Sequence, residues 1–61
     1  MKFQFIKNCP KNIYTMNKSY RKYNIIDNCV YLPSISKDKV IHYTEKSIEI
    51  IPMEYLKIYE H

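Results

Sequence analysis

Glycine, alanine and tryptophan are absent from this 61-residue chain, and proline occurs only three times. Without glycine the chain cannot build the glycine-rich loop that cradles a phosphate, which excludes the phosphate-loop motifs. Without alanine it lacks the best helix former, whereas its isoleucines and its seven tyrosines favour pleated sheets. The composition therefore predicts a sheet-rich protein.

Long apolar runs are also missing, and their absence is relevant to the cellular location of the protein. No run approaches the ~18 apolar residues of a membrane span, and the apolar patch within MKFQFIKNCPK is too short for a signal-peptide core. We therefore predict a soluble, cytoplasmic protein without a membrane partner. The hydrophobic fraction of 46% predicts a folded chain, and 61 residues suffice for a single domain, residues 1–61, with a core of marginal size.

Alternating and β-branched segments indicate a succession of short strands joined by polar turns. The predicted strands are residues 2–6, 13–16, 20–26, 29–32, 39–44 and 47–51, with a turn at Asp27-Asn28 and a tight reversal at Glu45-Lys46. Phe3 and Phe5 share one face of the first strand. In the last of these strands Ile48 and Ile50 are expected to face the core, which places Glu49 on the solvated face.

The C-terminal stretch IIPMEYLKIYE is compatible with two structures. Pro52 can open a short helix over residues 53–60, because proline suits the first helical position. The same residues can form a strand with Leu56 and Ile58 on one face. The hairpins predicted before this stretch favour the strand. The expected fold class is mainly β, a small antiparallel sheet or barrel, with at most one short helix after Pro52.

The same stretch resembles the end of Src-homology-three domains. In that family an apolar-Pro-x-x-Tyr-apolar segment leads through a one-turn 3₁₀ helix into the closing strand, and IPMEYL has this pattern. The resemblance implies a small Src-homology-three-like β-barrel. It also implies that Pro52 and Tyr55 line a groove for proline-rich peptides, and it is confined to this C-terminal part of the chain.

Candidate metal ligands and nucleophiles are few. The soft ligands are Cys9, Cys29, His42 and His61, and no two of them lie a few residues apart as in the knuckle of a structural zinc site. In the cytoplasm both thiols are expected to be reduced. A Cys–His pair would also lack an oxyanion hole, since glycine-rich turns are absent and no long helix is predicted. We therefore predict no metal, no cofactor and no enzymatic activity.

The basic stretch NKSYRKYN is the candidate contact for nucleic acid. Lys18, Arg21 and Lys22 can neutralise phosphates, and Tyr20 or Tyr23 can stack on bases. On a strand, however, Tyr20 and Lys22 face one way while Arg21 and Tyr23 face the other. Only half of the set then meets one ligand, so nucleic-acid binding is the alternative function.

Seven tyrosines are more than one small core can bury, and tyrosine is enriched in protein interfaces. We predict a homodimer in which the C-terminal strand contributes Tyr55, Leu56, Ile58 and Tyr59. The charge distribution supports association, because residues 1–39 carry a sum of +6 and residues 40–61 a sum of −2. Two such halves attract each other if they meet across the interface.

A short chain rich in Lys, Asn, Ile and Tyr, without catalytic groups, is similar in size and composition to the proteins with which phages inhibit host defence systems. The predicted function is therefore inhibition of a host protein by occlusion of its surface, in the host cytoplasm if the gene belongs to a phage. The predicted contact residues are Tyr20, Arg21, Lys22, Tyr23 and Tyr55. A peptide-binding module of the Src-homology-three type is a further alternative.

Overall fold

The computed structural model describes residues 1–11 and 16–61, and this part of the chain contains six short strands and one 3₁₀ helix. The strands are β1 (Lys2–Phe5), β2 (Ile25–Ile26), β3 (Cys29–Val30), β4 (Lys39–Tyr43), β5 (Ile48–Pro52) and β6 (Leu56–Glu60), and the 3₁₀ helix (Met53–Tyr55) precedes β6. They form two antiparallel sheets, the first in the order β2-β1-β6 and the second in the order β3-β4-β5. The prediction of a mainly-β fold is confirmed.

The core lies between the two sheets and is built around β1. Phe3 and Phe5 are fully buried, whereas their neighbours in the strand are partly exposed, as the predicted alternation requires. The ring of Phe5 stacks on Tyr20 with 4.6 Å between ring centroids and 11° between ring planes. The other buried apolar side chains are Cys9, Met16, Ile26, Cys29, Val40, Ile51 and Leu56. A large side chain buried in this way contributes about 1.5–3 kcal/mol.

The chain bends at Asn28 and reverses at Glu45-Lys46, as predicted, and at each place a short polar side chain accepts a backbone N–H. Between β2 and β3, Asn28 has φ 57° and donates its backbone N–H to Asp27 Oδ1 at 2.7 Å. Asparagine is among the residues that tolerate this left-handed conformation in place of glycine. Between β4 and β5, Thr44 N–H donates to the Ser47 carbonyl at 2.8 Å, and Ser47 N–H donates to Thr44 Oγ1 at 2.9 Å.

The predicted strand 20–26 is wrong over most of its length, because its middle forms a turn. Arg21 N–H donates to Asn24 Oδ1, and Asn24 N–H donates back to the Arg21 carbonyl, both at 3.0 Å. Tyr23 has φ 77°, which an extended strand does not allow. A side-chain oxygen that accepts a nearby backbone N–H competes with strand pairing. Strand structure is therefore limited to β2 and an isolated bridge at Tyr20.

The other predicted strands differ from the structure at their ends. The strand 29–32 stops at Val30, because the Leu32 carbonyl accepts hydrogen bonds from the next turn. The prediction for residues 13–16 falls mainly outside the described residues. The segment after Pro52 divides, with the 3₁₀ helix over residues 53–55 and the predicted strand over residues 56–60.

Candidate functional site

Glu49 is fully buried, and its carboxylate is surrounded by three polar partners. Glu49 Oε1 accepts a hydrogen bond from the Tyr20 hydroxyl at 2.6 Å and lies 2.8 Å from His42 Nδ1. Glu49 Oε2 accepts from the backbone N–H of Asn17 at 2.8 Å. A buried carboxylate is costly unless its oxygens are hydrogen-bonded, and here both are. The prediction that Glu49 is solvated is therefore wrong.

The strand register explains which face of the second sheet is inside. Glu49 in β5 lies opposite His42 in β4, and His42 lies opposite Cys29 in β3, so the three residues form one row on the inner face. Because side chains alternate along a strand, Ile48 and Ile50 point outward, and Ile48 is 52% exposed. The prediction that these two isoleucines form the core face is also wrong.

The hydrogen bonds decide the charge state of this cluster. Burial raises the pKa of Glu49, but the hydrogen bonds from Tyr20, Asn17 and His42 together outweigh it, so the pKa lies below the ordinary value of 4.5. Burial also raises the pKa of Tyr20, and the hydrogen bond to Glu49 raises it further. At neutral pH the cluster therefore holds an ionised carboxylate and a protonated phenol.

Two open grooves flank the Tyr20 side chain. The first has a volume of about 410 Å³ and is lined by Lys18, Tyr20, Asn24, Ile25, Ile26, Asp27 and His42. The second has a volume of about 290 Å³ and shares Lys18 and Tyr20 with the first. The Lys18 ammonium group lies 5.0 Å from the centre of the Tyr20 ring. The first groove combines the positive Lys18 with the negative Asp27, so its charge selects no particular ligand.

The two thiols are free and buried. Burial raises the pKa of both, and that of Cys29 reaches about 11. Cys9 Sγ lies 3.7 Å from Met16 Sδ, and Cys29 Sγ lies 3.5 Å from the Asp27 carbonyl oxygen. A thiol that stays protonated at neutral pH is a poor nucleophile. Cys29 therefore lacks the thiolate that a Cys–His mechanism with His42 requires.

The outer face of the second sheet is apolar except for Lys39 at the start of β4. Val30, Ile41 and Ile50 are successive cross-strand partners, and Tyr43 pairs with Ile48 in the next row. The loop after β3 extends this surface. The outer apolar face is defined as the seven side chains Val30, Leu32, Ile35, Ile41, Tyr43, Ile48 and Ile50. Leu32 is 47% exposed and Ile35 is 80% exposed, which leaves much of this surface in contact with water.

The predicted contact residues are divided between core and surface. Tyr20 is 5% exposed, so its ring packs in the core and only a small part of it reaches the two grooves. Residues 21–23 lie on the exposed turn before β2, where Tyr23 is 67% exposed. Tyr55 is half-buried, and the Lys7 ammonium group lies 4.6 Å from the centre of its ring. Among the predicted contact residues, those on this turn, residues 21–23, have the most exposed side chains.

The predicted dimer residues are divided in the same way. Leu56 is 4% exposed and belongs to the core. It is the first residue of β6 and pairs with the buried Phe5 of β1. Ile58 is 40% exposed and Tyr59 is 52% exposed, and both lie on β6 at the edge of the first sheet. Pro52, which the family resemblance places in a peptide groove, is buried where the 3₁₀ helix starts.

Comparison with known proteins finds no matching family model, no similar curated protein and no similar solved structure. Within residues 1–11 and 16–61, no group of three or more His, Cys, Asp or Glu side chains could hold a metal ion. The same residues contain no helix long and apolar enough to cross a membrane. The geometry of the surfaces is therefore the basis for a functional assignment.

Proposed function

We propose that this chain is a non-enzymatic binding protein that covers a surface of a protein partner with its outer apolar face. The observation that supports this function is the exposure of Leu32 and Ile35 next to a continuous row of aliphatic side chains. When a partner covers exposed apolar surface, the burial is favourable by about 25 cal/mol of free energy for each Å². Contiguous exposed apolar patches of this kind mark interaction sites.

The shape of the face indicates how a partner would bind. A shallow pocket of about 150 Å³ lies among Val30, Leu32, Ile35, Ser36, Lys39, Ile41 and Ile50. An apolar cavity of about this volume accommodates an aromatic ring. The partner is therefore expected to insert one large apolar side chain, surrounded by weaker contacts. Interfaces commonly concentrate their binding energy in such a central anchor.

The buried polar cluster supports this function indirectly. Glu49, His42 and Tyr20 lie on the inner side of the sheet whose outer side is the binding face. Their hydrogen bonds fix β4 and β5 relative to the core, so the outer side chains are held in one arrangement. A preorganised surface loses less entropy when it binds. The cluster is thus assigned a structural role rather than a catalytic one.

A homodimer through β6 is part of the proposal. β6 is an edge strand of the first sheet, and edge strands readily pair with another chain. A two-fold axis normal to the sheet at Ile58 would set each Ile58 beside its copy. The same axis sets each Lys57 beside Tyr59 of the other copy, where the lysine can lie against the ring. The likeness in size and composition to phage anti-defence proteins suggests a host defence protein as the target.

The experiment compares affinity capture by three forms of the protein. We expect Ile35→Ser in the outer apolar face to lose a protein that the unaltered chain retains from the lysate of its native host. Ile25→Ser is the matched control, because Ile25 is 46% exposed on the first sheet. The captured protein is then purified and titrated by calorimetry, where Ile35→Ser should bind at least about tenfold more weakly. Equal binding by all three forms would refute the proposal.

A further inference from the structure

A second surface lies at the turn before β2, which is held rigidly against β1. Lys22 N–H donates to Asn8 Oδ1 at 2.9 Å, and Tyr23 N–H donates to the Phe5 carbonyl at 2.8 Å. With the mutual hydrogen bonds of Arg21 and Asn24, every backbone N–H from residue 21 to residue 24 has an acceptor. The four side chains of the turn are all exposed. The backbone is therefore fixed while its side chains remain accessible.

Tyr23 is an unusual residue for its position in this turn. Its φ of 77° lies in the left-handed region, where a bulky side chain is a genuine outlier. Asparagine adopts this region more readily, as Asn28 does in the next turn. Packing does not explain the choice, because the Tyr23 side chain is 67% exposed. Strained backbone of this kind concentrates at functional sites, which directs attention to what the ring contacts.

Positive charge accompanies the exposed ring. Arg21 and Lys22 precede Tyr23 directly, and the Lys22 ammonium group lies 5.1 Å from the centre of the ring. Residues 17–26 carry three basic side chains and no acidic one. An exposed aromatic ring beside cationic groups is the combination with which proteins bind single strands, since bases stack on the ring and phosphates pair with the cations.

We propose that this turn binds single-stranded nucleic acid, with one base stacked on Tyr23 and adjacent phosphates paired with Arg21 and Lys22. The alternation of a strand would have separated these side chains onto two faces, but a turn does not impose that alternation. The site is independent of the outer apolar face, which belongs to the other sheet. Because it offers one ring and two charges, binding is sequence-independent, weak and sensitive to salt.

The first test measures stacking by fluorescence anisotropy with a labelled oligothymidylate of about 12 nucleotides. Tyr23→Ala should weaken binding by about tenfold, whereas Tyr23→Phe should retain it, because phenylalanine also stacks. Tyr43→Ala is the control, since Tyr43 is 45% exposed on the outer apolar face. Tyr23→Asn should lose binding while its melting temperature stays the same or rises, because asparagine relieves the strain. That combination separates a binding role from a folding role.

The second test measures the phosphate contacts through the salt dependence of oligonucleotide binding. Arg21→Ala and Lys22→Ala should each reduce the slope of log K against log salt by about 0.7, the value expected for one phosphate contact on a single strand. Lys37→Ala should leave the slope unchanged, because Lys37 is an exposed lysine in the loop between β3 and β4 of the other sheet. The proposal would be overturned if Tyr23→Ala bound the oligonucleotide as tightly as the unaltered protein does. It would also be overturned if the protein bound heparin as tightly as it binds the oligonucleotide. Absence of binding at low salt would overturn it as well.

Discussion

Glu49 and His42 face each other across β5 and β4, and Glu49 Oε1 lies 2.8 Å from His42 Nδ1 on the inner side of the second sheet. Their side chains are 1% and 12% exposed, so this contact is almost completely shielded from water. The same carboxylate holds the Tyr20 hydroxyl, which connects the second sheet to the segment that leads into the first. A single buried group therefore ties together parts of the chain that local pairing would leave separate.

Replacing this carboxylate by an amide should destabilise the protein. In Glu49→Gln one acceptor oxygen becomes an NH₂ donor, which leaves a buried donor from Tyr20, His42 or Asn17 unsatisfied. We expect the free energy of unfolding to fall by about 1–3 kcal/mol, the usual cost of such a group. Urea denaturation measures this change. Glu45→Gln, at an exposed position in the neighbouring turn, should change stability by less than about 0.5 kcal/mol.

Stability should also decline in acid because of Glu49. The pKa of this carboxyl is lower in the folded protein than its ordinary value of 4.5, so the unfolded chain binds a proton first as the pH falls. The contribution of Glu49 to the stability of the folded protein is fully present above pH 4.5 and is lost as the pH falls through the pKa of Glu49 in the folded protein. Denaturation curves at several pH values should show this loss, and Glu49→Gln should flatten it.

Asp38 provides the comparison for the acid experiment. The hydrogen bond from the Ser36 hydroxyl lowers the pKa of Asp38, but this carboxyl is fully exposed to solvent. Asp38→Asn should therefore leave most of the acid dependence in place. If Asp38→Asn flattened the curve and Glu49→Gln did not, the assignment of the acid dependence to Glu49 would be wrong.

A second pH dependence should appear in alkali, through Tyr20. Burial and the hydrogen bond to Glu49 raise the pKa of the phenol above its ordinary value of 10.0, so the unfolded chain loses this proton first as the pH rises. The contribution of Tyr20 to the stability of the folded protein is fully present below pH 10.0 and is lost as the pH rises from there through the pKa of the folded protein. Tyr20→Phe should lower stability at neutral pH by about 1–3 kcal/mol, because it removes a donor from the buried carboxylate. It should also reduce the alkaline decline, whereas Tyr43→Phe should leave it unchanged. The part that remains comes from Cys9 and Cys29, because burial raises the pKa of both thiols as well.

Self-association through β6 is open to direct measurement. Light scattering at micromolar concentration should report a dimer, and the double change of Ile58 and Tyr59 to Ser should shift it toward the monomer. Neither residue belongs to the core, so circular dichroism of the variant should remain that of a folded β-protein. Tyr43→Ser serves as the control. A monomer in the unaltered protein would rule out the dimer.

The features that the sequence predicted correctly depend on local signals. The alternation of Phe3 and Phe5, the turn at Asp27-Asn28 and the strand after Pro52 each follow from a few neighbouring residues. The pairing of His42 with Glu49 was also within reach, because a reversal between residues 45 and 46 places them opposite each other. A polar pair on one face would then have raised the question of whether that face was buried.

The features that the sequence did not predict depend on distant partners. The donors that make burial of Glu49 tolerable come from Tyr20 and Asn17, which are 29 and 32 residues away along the chain. Without knowledge of those contacts, hydrophobicity directs Ile48 and Ile50 inward. The turn at Tyr23 likewise depends on an acceptor in Asn8, 14 residues from its donor. Periodicity within a short window cannot detect such contacts.

The order of strands in the two sheets has a consequence for how the protein folds. The second sheet joins β3, β4 and β5, which follow one another along the chain, so its contacts close short loops. The first sheet pairs β1 with β6 and brings Lys2 opposite Glu60, which requires closure of nearly the whole chain. Short loops close at a lower entropic cost, so the β4–β5 hairpin should belong to the folding nucleus and the β1–β6 pairing should form late. Substitutions in that hairpin should therefore slow folding, and substitutions in β6 should mainly accelerate unfolding.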